Sequence, residues 1–514
     1  MLSRTLDAGA GPNSSSHDSD LHMAEPKIIQ GGMGVAVSNW RLARAVSQQG
    51  QMGVVSGTAI DLVLARRLQM GDLGGEMRRA LAAFPIPEMA QRVVDAYFIP
   101  GGKAHDAPFK GTPMHSLKTP RALDELTVLG NFVEVYLARE GHDGAIGVNY
   151  LEKIQLPTLP SLYGAMLAGV VYILMGAGIP RAIPGIIDRL AVGDPVELRI
   201  DVREAASTEE YVTRFSPAEF WGGTPPILSR PKFLPIISSS ILAQTLVKKA
   251  SGAVNGFIVE GPTAGGHNAG PRGPLTLNER GEPIYGARDV PDLDAIGSHG
   301  LPFWLAGSYG SHEALEQALA LGATGIQVGT ACAYCAESGI APEYKQRVLR
   351  ESRLGTLDVK TDPLASPTGF PFKVIQLPGT VAESATYEAR ARVCDLGYLR
   401  HLYKTPQGGI GYRCPSEPVA NYLAKGGDIK DTVGRTCVCN GLSTVVGIEQ
   451  VRAGGVHEPA IMTSGDDVLH VARFLAPGRD SYTAAEVIRQ LLGQEPSPID
   501  APCTEFVAPE PSLA

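Results

Sequence analysis

Short apolar runs recur along the chain, each ending in glycine or a polar residue, and most are followed by a stretch with helical spacing. Apolar runs bounded by turn formers are buried strands, and strands alternating with amphipathic helices assemble a parallel sheet. The runs fall at 27–30, 52–56, 145–149, 170–175, 233–239, 256–260, 303–306 and 325–328. The clearest intervening helix covers 312–321. Others are marked by Leu42, Ala43 and Val46 after the first run and by 241–250 after the fifth. Eight such strands predict an α/β fold of the (β/α)₈ TIM-barrel type rather than an open sheet, with the active site at the carboxyl ends of the strands.

Three stretches depart from the rhythm. Residues 58–140 carry helical segments (60–79, 88–97, 121–139) around a Pro/Gly-rich middle, and predict a helical insertion after strand 2, over one end of the sheet. Residues 196–202 predict a side hairpin. Residues 341–514 form a C-terminal α/β extension of short mixed elements with a helical end at 484–492, which leaves 27–340 as the barrel. The first 26 residues lack the apolar core of a signal peptide and are expected to be a disordered N-terminal tail. Residues 154–180 hold no charge and are long enough to cross a bilayer. Pro157, Pro160, Gly164, Gly169, Gly176 and Gly178 divide them into a helix at 161–167 and a strand, so no membrane span is expected.

Composition adds three constraints. Gly 60 of 514 residues is well above the usual share of about 7% and fits many tight strand-to-helix turns. A net charge of −8 with no basic block argues against a nucleic-acid surface and leaves small molecules as the expected partners. Cys 7 is too sparse and odd in number for a disulfide scaffold, so a reducing cytoplasm is the expected location. Cys394, Cys414, Cys437 and Cys439 lack the spacing of a zinc ribbon and are expected to be reduced, packed thiols, with no metal; Cys332 and Cys335 are also expected to pack.

The candidate chemistry lies at the strand ends. Gly307-Ser308-Tyr309-Gly310 follows strand seven and Gly329-Thr330 follows strand eight. Glycines let backbone N–H groups approach an anion, and loops at these two strand ends form a phosphate cradle in barrels. A side chain at Gly310 is expected to block that approach. After strand six, Glu260-Gly261-Pro262-Thr263-Ala264-Gly265-Gly266-His267 carries a histidine on a flexible Gly-Gly loop, placed to exchange a proton with a bound ring or substrate. After strand one, Gln30-Gly31-Gly32-Met33 offers backbone amides and a polarizable side chain suited to a flat heterocycle.

These elements, with Gly147-Val148-Asn149 and 325–330, resemble the nitronate monooxygenase (2-nitropropane dioxygenase) family of FMN-dependent barrels, which includes flavin-dependent enoyl-acyl-carrier-protein reductases. The resemblance covers 27 to about 340, and Ala264-Gly265-Gly266-His267 is its most specific part. It implies that Gly32, Met33, Asn149, Gly265, Gly266, Gly307, Ser308, Gly310, Gly329 and Thr330 hold FMN and that His267 is the catalytic base or acid. It further implies a flavoprotein oxidoreductase that oxidises alkyl nitronates with dioxygen or, alternatively, reduces an enoyl thioester with NAD(P)H. Oligomerisation is left open. The chain departs from the family at Gly307-Ser308-Tyr309, where Gly-Gly followed by Ile or Val is usual.

Overall fold

The computed structural model describes residues 24–494; most of the expected N-terminal tail, and everything after 494, lie outside the described residues. Eight parallel strands close into a barrel: β1 (Ile28–Gln30), β2 (Met52–Ser56), β3 (Ile146–Leu151), β4 (Tyr172–Gly176), β5 (Lys232–Ile237), β6 (Phe257–Glu260), β7 (Phe303–Ala306) and β8 (Gly325–Val328). Closure is made by β1 against β8, with Ile28 opposite Ile326 and Gln30 opposite Val328. The strands agree with the sequence reading to within a few residues at each end.

Side chains alternate between the two faces of each strand. Ile29, Val54, Leu174, Leu234, Ile258 and Trp304 point inward and fill the barrel, whereas Phe257, Val259 and Ile326 point outward under the helices. The amino-terminal end of the barrel is plugged. Trp304 Nε1 donates to Pro26 O at 2.7 Å, and Glu25 bridges Tyr172 OH and Lys232 Nζ.

The 58–140 stretch is organised differently from expectation. The segment expected as one helix at 60–79 is two, Ile60–Gln69 and Glu76–Ala82, because Gly71, Asp72 and Gly75 take positive φ and the Asp72 carboxylate caps the second by accepting from Met77 N and Arg78 N. Helix Arg121–Arg139 is not an addition over the sheet end. It lies against Trp40–Ser47 and Thr158–Leu167 as the crossover between β2 and β3. The fit is close because Gly164 has no Cβ, which would stand 2.2 Å from Val128 O. The side hairpin pairs Val196–Arg199 with Val212–Phe215, while Val202–Arg203 leaves it to pair with His401–Lys404.

The chain's helical end also has a structural role in the barrel. Helix Ala484–Leu491 lies against both Trp40–Ser47 and His312–Ala320, filling the place in the outer ring between the helices that follow β1 and β7. Its buried Val487, Ile488 and Leu491 join Leu42, Val46 and Leu315 in one cluster, and Leu491 O meets His312 Nδ1 at 3.1 Å. Between β8 and this helix, residues 341–483 form a cover over the carboxyl end of the barrel. It includes the antiparallel pairs Val359–Asp362 with Phe372–Ile375 and His401–Lys404 with Ile410–Arg413. Among the described residues no helix is long and apolar enough to cross a membrane.

Candidate functional site

A cavity of about 230 Å³ opens at the carboxyl ends of the strands. It gathers every site residue expected from the sequence: Gly32, Met33, Asn149, Gly265, Gly266, His267, Gly307, Ser308, Gly310, Gly329 and Thr330 all line it. Its floor is the uppermost inward layer of the barrel, where Asn149, Glu260 and Gln327 are polar.

Two of these floor groups lack a partner. Asn149 Nδ2 donates to Gly32 O at 3.3 Å, but Asn149 Oδ1 and Gln327 Oε1 are buried without a hydrogen bond. A buried polar atom left unpaired costs about 1–3 kcal/mol, so such atoms mark where a polar ligand edge completes the site. Glycine keeps the strand ends open beside them. A Cβ on Gly32 would lie 2.4 Å from Asn149 Cβ, and one on Gly329 would lie 3.3 Å from Met33 Sδ. The loop after β7 turns through Gly307 and Ser308, both at positive φ, before Ser311 caps helix His312–Ala320 by accepting from Ala314 N. Bare backbone at two adjacent strand ends, a helix start beyond one of them and unpaired polar atoms on the floor together fit a phosphorylated planar heterocycle such as FMN.

The β6 loop is pinned, not flexible as its glycines suggest. Gly266 N donates to Thr463 Oγ1 at 3.0 Å, Lys373 N to Gly266 O at 3.1 Å and Asn268 N to Pro371 O at 3.1 Å. Gly265 is there for clearance, because its Cβ would stand 2.6 Å from Gly465 N, whereas Gly266 is there for its φ of +74°. His267 Nε2 sits 2.6 Å from Ser366 Oγ, and the ring lies against Phe372 with centroids 4.7 Å apart. Burial pushes the His267 pKa down to about 4, and burial likewise raises that of Glu260 to about 8.

The cover supplies residues that the sequence did not flag. Tyr398, Leu399, Val438, Leu442, Val445 and Ile461 form an apolar wall. Thr463–Asp467 lie against the loops after β8 and β6: Gly465 N donates to Thr330 Oγ1 at 3.1 Å and Asp466 N to Thr263 O at 3.0 Å. Among the described residues no Lys or Arg lines the cavity. Gln327 was detectable as a polar residue at an inward position of an apolar strand; nothing local marks the residues of the cover.

Gly310, which lines the cavity, also lies against the cover. Its Cβ would fall 2.3 Å from Asp467 Oδ2 and 2.8 Å from an Arg473 guanidinium nitrogen, which itself donates to Gly310 O at 2.7 Å. A side chain there collides with the cover. Gly310→Val is therefore expected to lose about 1–3 kcal/mol of stability as well as ligand, through overpacking. Thermal melting with flavin quantification checks this, and a variant of wild-type stability and full flavin content would contradict it.

Cys394, Cys414, Cys437 and Cys439 line one small cavity within the cover, and all are free thiols. Among the described residues no group of three or more His, Cys, Asp or Glu is arranged to hold a metal ion. Cys332 and Cys335 are fully buried, which raises both thiol pKa values and keeps them protonated.

Residues 231–364 match the family model described as nitronate monooxygenase. Over this segment the chain is similar to that family. Over 101 residues the chain is 35% identical to a probable nitronate monooxygenase of Bacillus subtilis, an alignment covering 19% of this chain and 27% of that relative. Among solved structures it is similar to FabK from Thermotoga maritima (16% identity, TM-score 0.44, covering 92% of this chain and 94% of the other). It is also similar to nitroalkane oxidase from Streptomyces ansochromogenes (14% identity, TM-score 0.43, covering 92% and 96%). The matched segment runs from just before β5 to just past Val359–Asp362, and so contains Glu260, His267 and the Gly307–Gly310 and Gly329–Thr330 loops.

A pH effect follows from the buried imidazoles. Burial also lowers the His401 pKa to about 4, helped by Arg203 nearby. In the unfolded chain both histidines titrate near 6.5, so the unfolded state binds more protons between these values. Their contribution to stability is fully present above about pH 6.5 and is lost as pH falls toward about 4. The melting temperature should drop across this window, and less steeply in His267→Gln; an equally steep drop in the variant would speak against a buried neutral imidazole at this position.

Proposed function

We propose that the chain is an FMN-dependent oxidoreductase that reduces the C=C bond of an enoyl thioester at the expense of NAD(P)H. The observation that carries this reading is the pairing of a glycine-edged, polar floor with an apolar wall in one cavity. An apolar wall favours an acyl chain.

Backbone N–H groups of the Gly307–Gly310 and Gly329–Thr330 loops would hold the FMN phosphate. Met33 would rest against the ring, and Asn149 and Gln327 would meet its polar edge with the atoms now unpaired. When bound, FMN supplies two-electron transfer between NAD(P)H and the substrate. Overall, enoyl thioester, NAD(P)H and one proton give saturated thioester and NAD(P)⁺. His267, neutral at pH 7, keeps Nε2 on Ser366, so Nδ1 is the nitrogen left to donate to the thioester carbonyl. Charge that develops on that oxygen as the double bond is reduced is stabilised by such a fixed donor. The low pKa also makes His267 a weak base for removing a proton from a neutral nitroalkane.

A second reading, oxidation of alkyl nitronates with dioxygen, is favoured by the match of 231–364 to nitronate monooxygenase. A nitronate is already deprotonated and needs no base. Anaerobic mixing distinguishes the two readings. Under the first, NAD(P)H bleaches the flavin and crotonyl thioester restores its colour. Bleaching by an alkyl nitronate in the absence of NAD(P)H, with no response to the thioester, would replace the first reading with the second.

A further inference from the structure

Cys394, Cys414, Cys437 and Cys439 take no part in the chemistry described so far, yet separate stretches of the cover bring them to one place. The cavity they line, about 10 Å³, is no larger than a single water molecule. Among the described residues no three His, Cys, Asp or Glu are arranged around a metal ion, so the shared space favours chemistry between two sulfurs over chelation. Cys437 is engaged already: its Sγ accepts from Asn440 Nδ2 at 3.5 Å and lies 3.9 Å from Val393 O. Cys439 also lines the main cavity.

Cys394 and Cys414 touch directly, the Cys414 thiol donating a hydrogen bond to Cys394 Sγ. Cys414 is buried just past strand Ile410–Arg413, whereas Cys394 is partly exposed in the stretch 391–399, which has no helix or strand. A partly exposed thiol can meet a small oxidant, and an irregular stretch can yield as a bond closes. Charge makes Cys394 the nucleophile of the pair. The bond from Cys414, with Arg400 nearby, holds its thiol below the usual range against the opposing effect of burial, and the same bond raises that of Cys414. Arg400 donates to the backbone carbonyls of Gly397 and His115 and has no carboxylate partner among the described residues. The two carboxylates near Cys394 are taken up by other cations, Glu417 by Lys425 and Asp395 by Arg452.

We propose that Cys394 is a site of reversible oxidation by hydrogen peroxide and that Cys414 resolves the oxidised form as a disulfide. The Cys394 thiolate attacks one peroxide oxygen, the O–O bond breaks, and the hydroxide that leaves takes up the proton Cys394 has released, which gives a sulfenic acid and one water. The Cys414 sulfur then attacks the Cys394 sulfur. The S–O bond breaks, the hydroxyl departs with the Cys414 proton as a second water, and the S–S bond forms. Two thiols lose two electrons and the peroxide gains them. Closure ties the stretch that carries Tyr398 and Leu399, both on the wall of the main cavity, to the strand that ends at Arg413.

The test is a thiol count on the reduced, full-length protein before and after brief treatment with hydrogen peroxide, with peptide mapping by mass spectrometry. The wild-type protein should lose two of its seven thiols, show the peptides of Cys394 and Cys414 joined, and recover both thiols with dithiothreitol. Cys394→Ser should keep its remaining six thiols. Cys414→Ser, whose hydroxyl can still donate to Cys394, should stop at the sulfenic acid, which dimedone traps on Cys394. Retention of all seven thiols in the wild-type protein overturns the proposal, as does a disulfide between other cysteines, a dimedone adduct elsewhere, or a loss of two thiols that persists in Cys394→Ser. Zinc or iron bound one per chain in the purified protein also overturns it, because the sulfurs would then be metal ligands. Should a variant not fold, the wild-type peptide map alone decides between the Cys394–Cys414 link and any other outcome.

Discussion

His267→Ala is expected to keep the fold and its FMN while slowing thioester reduction by about 10²–10³, the usual loss when one preorganised donor to a developing oxyanion is removed. The defect should be equal at pH 6, 7 and 8, because burial holds the wild-type imidazole neutral throughout that range. Single-turnover reduction of crotonyl thioester by the pre-reduced protein isolates the step. A wild-type rate would take His267 out of the chemistry and leave Ser366, its 2.6 Å partner, with no catalytic consequence.

Trp304→Ala should have the largest effect on stability. The indole is fully buried in the barrel interior among Ile29, Leu174 and Ile258, and its Nε1 holds Pro26 O at the closed end. Truncation removes the packing, opens a cavity and leaves Pro26 O without its donor, a combined cost of about 3–5 kcal/mol. Urea unfolding followed by circular dichroism measures it. Trp304→Phe, which keeps most of the volume but not the N–H, should lose much less. Equal losses in the two variants would mean that the hydrogen bond, not the volume, dominates.

What could be read from the chain divides along sequence distance. The eight strands were visible because each is a short apolar run closed by a turn residue, a signal confined to a few neighbouring positions. The site residues on the barrel were visible for the same reason, since Gly32, Asn149, His267, Gly307 and Gly329 each sit at or just beyond a strand end. Helix Arg121–Arg139 was seen but misplaced: nothing local distinguishes a crossover helix from an inserted one, and Gly164 against Val128 settles the matter only in three dimensions. The helical end at Ala484–Leu491 was likewise seen as a helix, though not as part of the ring. Tyr398, Val438, Leu442 and Gly465 escaped notice altogether, because their approach to the barrel mouth is a long-range contact. In the sequence the Gly265-Gly266 pair signals freedom of movement, whereas in the fold one glycine provides clearance for Gly465 and the other a left-handed turn.

The cover that joins β8 to Ala484–Leu491 contributes the apolar wall, while the glycine loops and the polar floor come from the barrel. The cavity is thus assembled from two stretches of chain that can change independently. Exchanges at Leu399, Val438, Leu442 or Ile461 reshape the space above the floor without altering Gly32, Asn149 or Gln327. Variation concentrated in the cover would let descendants of one ancestral barrel diversify in the ligands they admit while inheriting the same floor.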